Sequence, residues 1–145
     1  MQLIALADAG ASPAERAPFV KALKAAQTSD GSWNLLSGIP GEAYSTGQAL
    51  YALHVSGNVP TTDPTYQRGV RWLLRNQLAD GSWFMATRAV PVQPHTFESG
   101  FPRGWHQFAS AGASSWATMA LLLTLPDQPP AKSSGEKNAA AGERR

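Results

Sequence analysis

The sequence predicts an all-α fold built from repeated αα-hairpins, and three observations lead to this prediction. A seven-residue motif, Gln-x-x-Asp-Gly-Ser-Trp, occurs at residues 27–33 and again at residues 77–83. Each copy lies between a helical pattern and a second, more apolar helical pattern. A motif that returns at one fixed spacing marks a repeated supersecondary unit. The chain is therefore expected to be part of a helical array.

The first helical pattern covers residues 14–26, and the residues before it are typical of a helix start. Ser12 stands where a helix-capping residue is expected, and Pro13 follows at the first helical position. Lysines lie outside the apolar stripe of this segment, so we expect an amphipathic helix. The glycine of the first motif ends the helix, because glycine adopts positive φ without strain.

The second pattern, residues 43–55, is apolar on most faces and is therefore expected to be buried on most faces. Asp63 and Pro64 then open a third, amphipathic helix with an i, i+3, i+4, i+7 stripe. Residues 109–125 form the next apolar pattern. Amphipathic outer helices thus alternate with buried inner helices along the chain.

These patterns divide the chain into a repeat domain, residues 1–126, and a tail, residues 127–145. The repeats cover about residues 11–57 and 62–126, and the second contains an insertion at about 84–108. The segment before Gly10 matches the end of an inner helix, so the chain is expected to be a piece of a longer array. The tail has no large apolar residue and is expected to be disordered.

Composition excludes several classes of function. The sequence has no cysteine, which rules out disulfides and thiolate metal sites, and we expect neither a metal nor a cofactor. A net charge of only +2, with no cluster of basic and aromatic residues, argues against nucleic-acid binding. The apolar run at 116–125 is shorter than the ~20 residues of a transmembrane helix. Peripheral membrane contact stays open, and the sequence does not indicate a compartment.

The second motif extends into a longer pattern that resembles a known family. Residues 68–83 read Arg-Gly-Val-Arg-Trp-Leu-Leu-Arg-Asn-Gln-Leu-Ala-Asp-Gly-Ser-Trp. This resembles the QW repeat of squalene–hopene and oxidosqualene cyclases, which protein prenyltransferase β-subunits share in looser form. In the first copy, Pro18 and Phe19 replace the Arg-Gly pair and Ala22 replaces the aromatic residue. The resemblance covers roughly residues 1–126.

The resemblance implies an α-α toroid, with an outer and an inner ring of helices around a cavity. The chain is too short for a complete ring, so we expect a partial toroid. The motif is expected to be structural rather than catalytic, with the glutamine bonding orphaned backbone groups at helix ends and the indole donating its own N–H. The residues assigned this structural role are Gln27, Gly31, Trp33, Gln77, Gly81 and Trp83.

The resemblance raises the question of catalysis, which the sequence leaves open. Cyclases of this kind protonate an alkene with an Asp-x-Asp-Asp motif, and this sequence has none. Prenyltransferases bind zinc with Asp, Cys and His, a set that a chain without cysteine does not provide. Trp105, Phe108 and Trp116 are candidates for cavity aromatics that stabilise carbocations, although packing in the core is the more frequent role of such residues.

The insertion is the remaining candidate for a site, because long loops in compact domains are often functional. His95, Glu98 and His106 lie within sixteen residues of one another, and Glu98 with either histidine would form an acid/base pair. The alternative is that these groups cap the helix that follows and anchor the loop.

Two functions therefore remain open. The first is a non-catalytic binding or structural module, since helical arrays commonly bind ligands on a concave face. The alternative is the C-terminal part of a terpenoid cyclase acting on an apolar isoprenoid. The partner would be an apolar isoprenoid or a protein, and the open edge of a partial toroid favours self-association.

Overall fold

In a computed structural model, which describes residues 2–88 and 99–126, all regular secondary structure is helical. The middle of the predicted insertion, 89–98, and the predicted tail, 127–145, lie outside the described residues. The helices are α1 (Gln2–Asp8), α2 (Pro13–Ala25), α3 (Ala43–Tyr51), α4 (Pro64–Arg75) and α5 (Gln107–Leu122). A π-helical turn, Ala52–Ser56, continues α3, and a 3-10 turn, Gly104–His106, leads into α5. The prediction of an all-α fold is confirmed.

The two outer helices begin at the predicted caps. The Ser12 hydroxyl accepts a hydrogen bond from the backbone N–H of Glu15, and the Glu15 carboxylate accepts one from the backbone N–H of Ser12 at 2.7 Å. This is a capping box, which satisfies two of the N–H groups that a helix start leaves unpaired. At the start of α4, Asp63 accepts from the backbone N–H of Thr65 at 2.8 Å, and Pro64 occupies the first position.

The helices form an inner layer of α1, α3 and α5, with α2 and α4 packed outside. The most extensive contact is between α3 and α5, while α1 packs against α2 and against the π-helical turn after α3. The outer helix α4 contacts both α3 and α5. The apolar core lies between these layers and includes Trp33, Leu50, Leu53, Tyr66, Leu73 and Trp83.

The two outer helices differ in how deeply they are buried. Five residues of α4 are buried, namely Tyr66, Gly69, Val70, Trp72 and Leu73. No residue of α2 is fully buried, although Val20 and Leu23 pack against the core. The difference arises because α4 lies against two inner helices and against the turn of the first motif, whereas α2 contacts α1.

The inner helices approach closely because a glycine lies at their contact. A Cβ atom on Gly47 of α3 would lie 2.5 Å from the backbone carbonyl carbon of Trp116 and 2.6 Å from the nitrogen of Ala117 in α5. The Trp116 side chain packs edge-on against Tyr44 and Tyr51, with ring centroids 6.4 and 5.5 Å apart. The glycine at position 47 therefore allows the backbones of α3 and α5 to touch, and a larger residue there would prevent this contact.

None of the helices within residues 2–88 and 99–126 combines the length and apolar character that crossing a membrane requires.

Replacement of Gly47 by alanine should destabilise the fold, because the added methyl group overlaps the backbone of α5. We expect a loss of ~1–3 kcal/mol in the free energy of unfolding, as for other overpacked cores. Gly112→Ala is the matched control, because its Cβ would meet nothing closer than 3.5 Å and alanine favours helix by up to ~1 kcal/mol. Urea denaturation of both variants tests this, and equal effects would contradict the close contact.

Candidate functional site

The indole N–H group of each motif tryptophan bonds the end of the outer helix that precedes it. Trp33 Nε1 donates to the carbonyl oxygen of Leu23 at 2.7 Å, and Trp83 Nε1 donates to that of Leu73 at 2.9 Å. Carbonyls in the last turn of a helix have no partner within the helix. The Trp33 indole thus supplies a partner for the Leu23 carbonyl. The Leu73 carbonyl also accepts from the backbone N–H of Asn76 at 3.1 Å, so the Trp83 indole adds a second hydrogen bond there. The two tryptophans are 3% and 2% exposed.

The backbone N–H of the same tryptophan bonds the inner helix that follows. Trp33 donates to Thr46 Oγ1 at 3.0 Å, and Trp83 donates to Ser114 Oγ at 2.9 Å. These bonds make Thr46 of α3 and Ser114 of α5 equivalent positions in the two repeats. Each tryptophan thus joins the outer and the inner helix of one hairpin.

The turns before the two tryptophans share their aspartate–serine hydrogen bonds, and the first turn has further bonds from the Thr28 hydroxyl where the second has Leu78. Asp30 Oδ1 accepts from the backbone N–H and the hydroxyl of Ser32, at 3.0 and 2.6 Å. Asp80 accepts from the same two groups of Ser82, at 3.1 and 2.6 Å. The intervening glycines have positive φ in both copies, 98° and 81°. The two motifs therefore fold alike, whatever lies beside them.

The first motif also bonds α4, the outer helix of the next repeat. Gln27 Nε2 donates to the carbonyl oxygens of Gly31 and Thr65, each at 2.9 Å, and Gln27 Oε1 accepts from the guanidinium of Arg68. Trp72 Nε1 donates to Asp30 Oδ2 at 3.1 Å. The motif thus links neighbouring repeats as well as the two helices of one repeat.

The second motif has a different neighbour. Gln77 Nε2 donates to the carbonyl oxygen of Gly81 at 2.9 Å, as in the first copy, but both residues are exposed. The position on Asp80 Oδ2 that corresponds to the Trp72 bond is taken by the guanidinium of Arg103, at 2.7 Å. Sequence reasoning missed Arg103, because nothing in its local pattern indicates a partner 23 residues away.

The aspartates of both turns are held in the ionised form. Partial burial acts to raise the pKa of Asp30, but hydrogen bonds from Ser32, Thr28 and Trp72 outweigh it and lower that pKa to about 2. Hydrogen bonds from Ser82, with a further contribution from Arg103, lower the pKa of Asp80. Both carboxylates therefore act as hydrogen-bond acceptors at neutral pH and are poor proton donors.

A further ion pair joins the start of α3 to the segment after the second motif. The Glu42 side chain, 9% exposed, accepts two hydrogen bonds from the Arg88 guanidinium at 2.8 and 3.1 Å. The hydrogen bond to Glu42 raises the pKa of Arg88. Sequence reasoning missed this pair, because its members lie 46 positions apart.

Only one member of the predicted acid/base group lies among the described residues. His106 Nδ1 accepts a hydrogen bond from the backbone N–H of Thr87 at 3.1 Å, and its ring packs edge-on against Phe84. His95 and Glu98 lie outside the described residues, so an acid/base pair in the insertion stays a prediction. Within the described part of the chain, no group of three or more His, Asp or Glu side chains is arranged to hold a metal ion.

The three candidate cavity aromatics occupy different surroundings. Trp116 is half-buried and packs between two tyrosines of α3, as described above. Trp105 and Phe108 are 53% and 45% exposed, respectively, at the start of α5. A role for any of them beside a carbocation stays a prediction.

A cavity of about 420 Å³ lies between α1, α2 and α3. Leu3, Phe19, Leu23, Trp33, Leu35 and Ala49 give it a largely apolar wall. The polar groups of the same wall are the amides of Gln2, Asn34 and Gln48 and the hydroxyl of Ser45. No carboxylate lines this cavity, so its chemistry suits an apolar molecule with at most a few polar atoms.

Comparison with known proteins places this architecture in a family. The family model of the squalene-hopene cyclase C-terminal domain matches residues 1–140. The chain belongs to this family. Neither a curated protein nor a solved structure matches it. Membership of the squalene-hopene cyclase C-terminal domain family confirms the resemblance seen in the sequence and implies the α-α toroid as the parent architecture.

Removal of the Trp83 side chain should destabilise this squalene-hopene cyclase C-terminal domain strongly. We expect Trp83→Ala to cost ~3–5 kcal/mol, since the indole is buried and its N–H satisfies a helix-end carbonyl. Trp83→Phe keeps an aromatic ring but removes the donor, and should cost ~0.5–1.5 kcal/mol for one lost hydrogen bond, because the Leu73 carbonyl keeps its bond from Asn76. Leu36→Ala is the exposed control, since Leu36 is 58% exposed, and its expected change is within ~0.5 kcal/mol. Thermal unfolding of the three variants measures these costs, and similar values for Trp83→Ala and Leu36→Ala would refute the role of the indole.

Acid should weaken the contribution of Asp30. The pKa of Asp30 in the folded chain is below its ordinary value, at about 2, so its stabilising contribution is full above the ordinary value and is lost as pH falls toward 2. The difference in unfolding free energy between the unmodified chain and Asp30→Asn should therefore shrink between pH about 4 and about 2. Asp8→Asn, at the exposed end of α1, serves as the control. A difference that stays constant with pH in urea titrations would argue against this network.

Proposed function

We propose that the chain is a non-catalytic binding module and that it holds an apolar isoprenoid in the cavity between α1, α2 and α3. The observation that carries this proposal is the character of the cavity wall, which is largely apolar, carries three amides and one hydroxyl, and has no carboxylate. Its volume, about 420 Å³, falls in the range of small-molecule sites. Family membership supports an isoprenoid as the ligand class, because squalene and hopene are isoprenoid hydrocarbons.

The ionised state of three described aspartates supports a binding role over catalysis. Protonating an alkene requires a carboxylic acid that stays protonated until the substrate arrives, which means a raised pKa. Asp30 and Asp80 have lowered pKa values and serve the two turns. Burial acts to raise the pKa of Asp63, but the hydrogen bond from Lys24 and the capping bond to Thr65 outweigh it and lower that pKa. Each of these acids already has a structural task.

The alternative function is the C-terminal part of a terpenoid cyclase. Membership of the family favours it, and the catalytic acid would then be supplied by another part of the enzyme. Under this alternative the cavity would be one portion of a larger active site. The two functions can be distinguished, because only a cyclase would convert its ligand into a product.

Farnesol, an isoprenoid alcohol, is a suitable probe because its chain is apolar and its hydroxyl can bond an amide. Isothermal titration calorimetry should show saturable binding to the full chain. Ala22→Trp should abolish it by filling the cavity, because Ala22 is exposed on α2 and lines the wall. Ala25→Trp is the matched control, since Ala25 is exposed on the same helix and does not line this cavity.

Two results would overturn the proposal. If farnesol does not bind the unmodified chain, the proposed ligand class is wrong. If it binds both tryptophan variants equally, the binding site is not this cavity. Incubation with squalene, followed by gas chromatography of the extracted lipids, tests the alternative. A cyclised product would establish catalysis in place of simple binding.

A further inference from the structure

We infer that the groove between α2 and the turn at residues 56–58 binds a small anionic amphiphile, in which a carboxylate or phosphate group is attached to a short apolar chain. The volume of this groove, about 370 Å³, falls in the range of small-molecule sites. The groove shares no lining residue with the cavity between α1, α2 and α3, so this inference goes beyond the proposed function and does not depend on it.

The groove and the cavity lie on different sides of α2. Arg16, Val20 and Lys24, which are four residues apart, line the groove, whereas Ala22 and Leu23 line the cavity. Residues four apart lie one above the other on the same face of a helix. From Arg16 to Lys24 this face covers about 12 Å of the helix, which limits the ligand to a short chain.

The charge of the groove is positive. Its lining contains Arg16, Lys21 and Lys24 and, among the described residues, no carboxylate. Lys24 is compensated, because it bonds Asp63 at 2.6 Å. Arg16 and Lys21 belong to none of the ion pairs formed by the described residues. Two positive charges at this groove are therefore left without a counter-charge.

The carboxylate nearest to Arg16 in the chain does not supply this counter-charge. Glu15 accepts hydrogen bonds from the backbone N–H and the hydroxyl of Ser12, both at 2.7 Å, and so belongs to the capping box of α2. Successive residues of a helix point about 100° apart, which turns Glu15 away from the row of Arg16 and Val20. An external anion is thus the missing partner.

The Arg16 guanidinium is held at the turn but is only partly bonded. Its Nη1 donates to the carbonyl oxygen of Ser56. Its Nε is buried and has no hydrogen-bond partner among the described residues. A charged group that is partly withdrawn from water without an opposite charge is unfavourable. An anion beside this guanidinium supplies the opposite charge and accepts bonds from its remaining N–H groups.

Asn58 adds an uncharged donor at the same end of the groove. Its backbone has a positive φ of 54°, a conformation that asparagine adopts more readily than most residues. Neither its side-chain amide nor its backbone N–H donates a hydrogen bond to another described residue. Ser56, whose carbonyl holds Arg16, lies two residues earlier. The head group of the ligand therefore binds at this turn, between the guanidinium and the amide.

The rest of the groove wall is largely apolar. Ala17 and Val20 line it, and Val20 packs closely against the turn, since a Cβ atom on Gly57 would lie 2.9 Å from Val20 Cγ2. An inorganic anion would leave this apolar surface in contact with water, whereas a short alkyl chain would cover it. The groove therefore suits an amphiphile better than a free inorganic ion.

Octanoate and octyl phosphate are the probes, and octanol is the uncharged control with the same chain length. NMR titration of the isotope-labelled full chain follows the binding, because it detects weak complexes. We expect saturable shifts of the Asn58 side-chain amide with the two anions. Octanol should bind at least about tenfold more weakly, as expected when hydrogen bonds to a charged group are lost. The relative affinities of octanoate and octyl phosphate identify the preferred head group.

Two further titrations separate the head group from the chain. Raising the ionic strength from about 0.01 to about 0.15 M shortens the Debye length from about 30 to about 8 Å, so octanoate should bind several-fold more weakly and octanol should be unaffected. Inorganic phosphate alone should bind more weakly than octyl phosphate. Equal affinity of these two phosphates would show that the apolar wall takes no part, and would refute an amphiphile as the ligand.

Variants of the full chain locate the site. Arg16→Gln should weaken octanoate binding by about tenfold or more, as expected for a lost bond to a charged group. Lys21→Gln removes an exposed charge that makes no ion pair, and should weaken binding by about two- to fivefold without affecting folding. Ala17→Trp should abolish binding by filling the groove. Arg71→Gln, on the exposed surface of α4, is the matched control and should leave binding unchanged.

Crossed experiments keep this site distinct from the cavity. Ala22→Trp, which fills the cavity, should not affect octanoate, and Ala17→Trp should not affect farnesol. The inference fails if neither octyl anion binds, or if octanol binds as tightly as octanoate. It also fails if Lys21→Gln and Ala17→Trp both leave the affinity for octanoate unchanged, or if Ala22→Trp abolishes it, since the anion would then bind outside this groove.

Discussion

Each hairpin of this protein depends on one tryptophan that bonds both of its helices. The indole N–H of Trp33 or Trp83 bonds the end of the outer helix, and the backbone N–H of the same residue bonds a hydroxyl on the inner helix. The bonded residues are 13 positions apart in the first repeat and 31 in the second. Because the two anchors set the geometry, the second repeat accepts an insertion in its connecting loop without changing its hairpin.

The carboxylates of the described residues mainly stabilise turns, a helix cap and a contact between distant segments. Asp30 and Asp80 hold the turns, Asp63 caps α4, and Glu42 pairs with Arg88. The lowered pKa values of Asp30, Asp63 and Asp80 keep these three carboxylates ionised, which is the opposite of what alkene protonation requires. The apolar cavity between α1, α2 and α3 contains none of them. The lining of this cavity is the basis of the proposed binding of an apolar molecule.

The two motifs have similar turns but different neighbours. The first is covered by α4, and the second has Arg103 on its aspartate and an exposed glutamine. In a squalene-hopene cyclase C-terminal domain, repetition of a hairpin is what builds the ring. The turn of the second motif keeps its aspartate–serine hydrogen bonds with no outer helix like α4 among its described contacts.

The sequence by itself determined the helical repeats, the two helix caps at Ser12 and Asp63, the turn in each motif and the family. These features are local, since a cap or a tight turn is formed by residues within about four positions of one another. Only the tertiary structure decided the pairing of Glu42 with Arg88, the contact of Arg103 with Asp80 and the cavity between α1, α2 and α3. Those features join segments far apart in the chain, and their geometry exists only once the helices have packed.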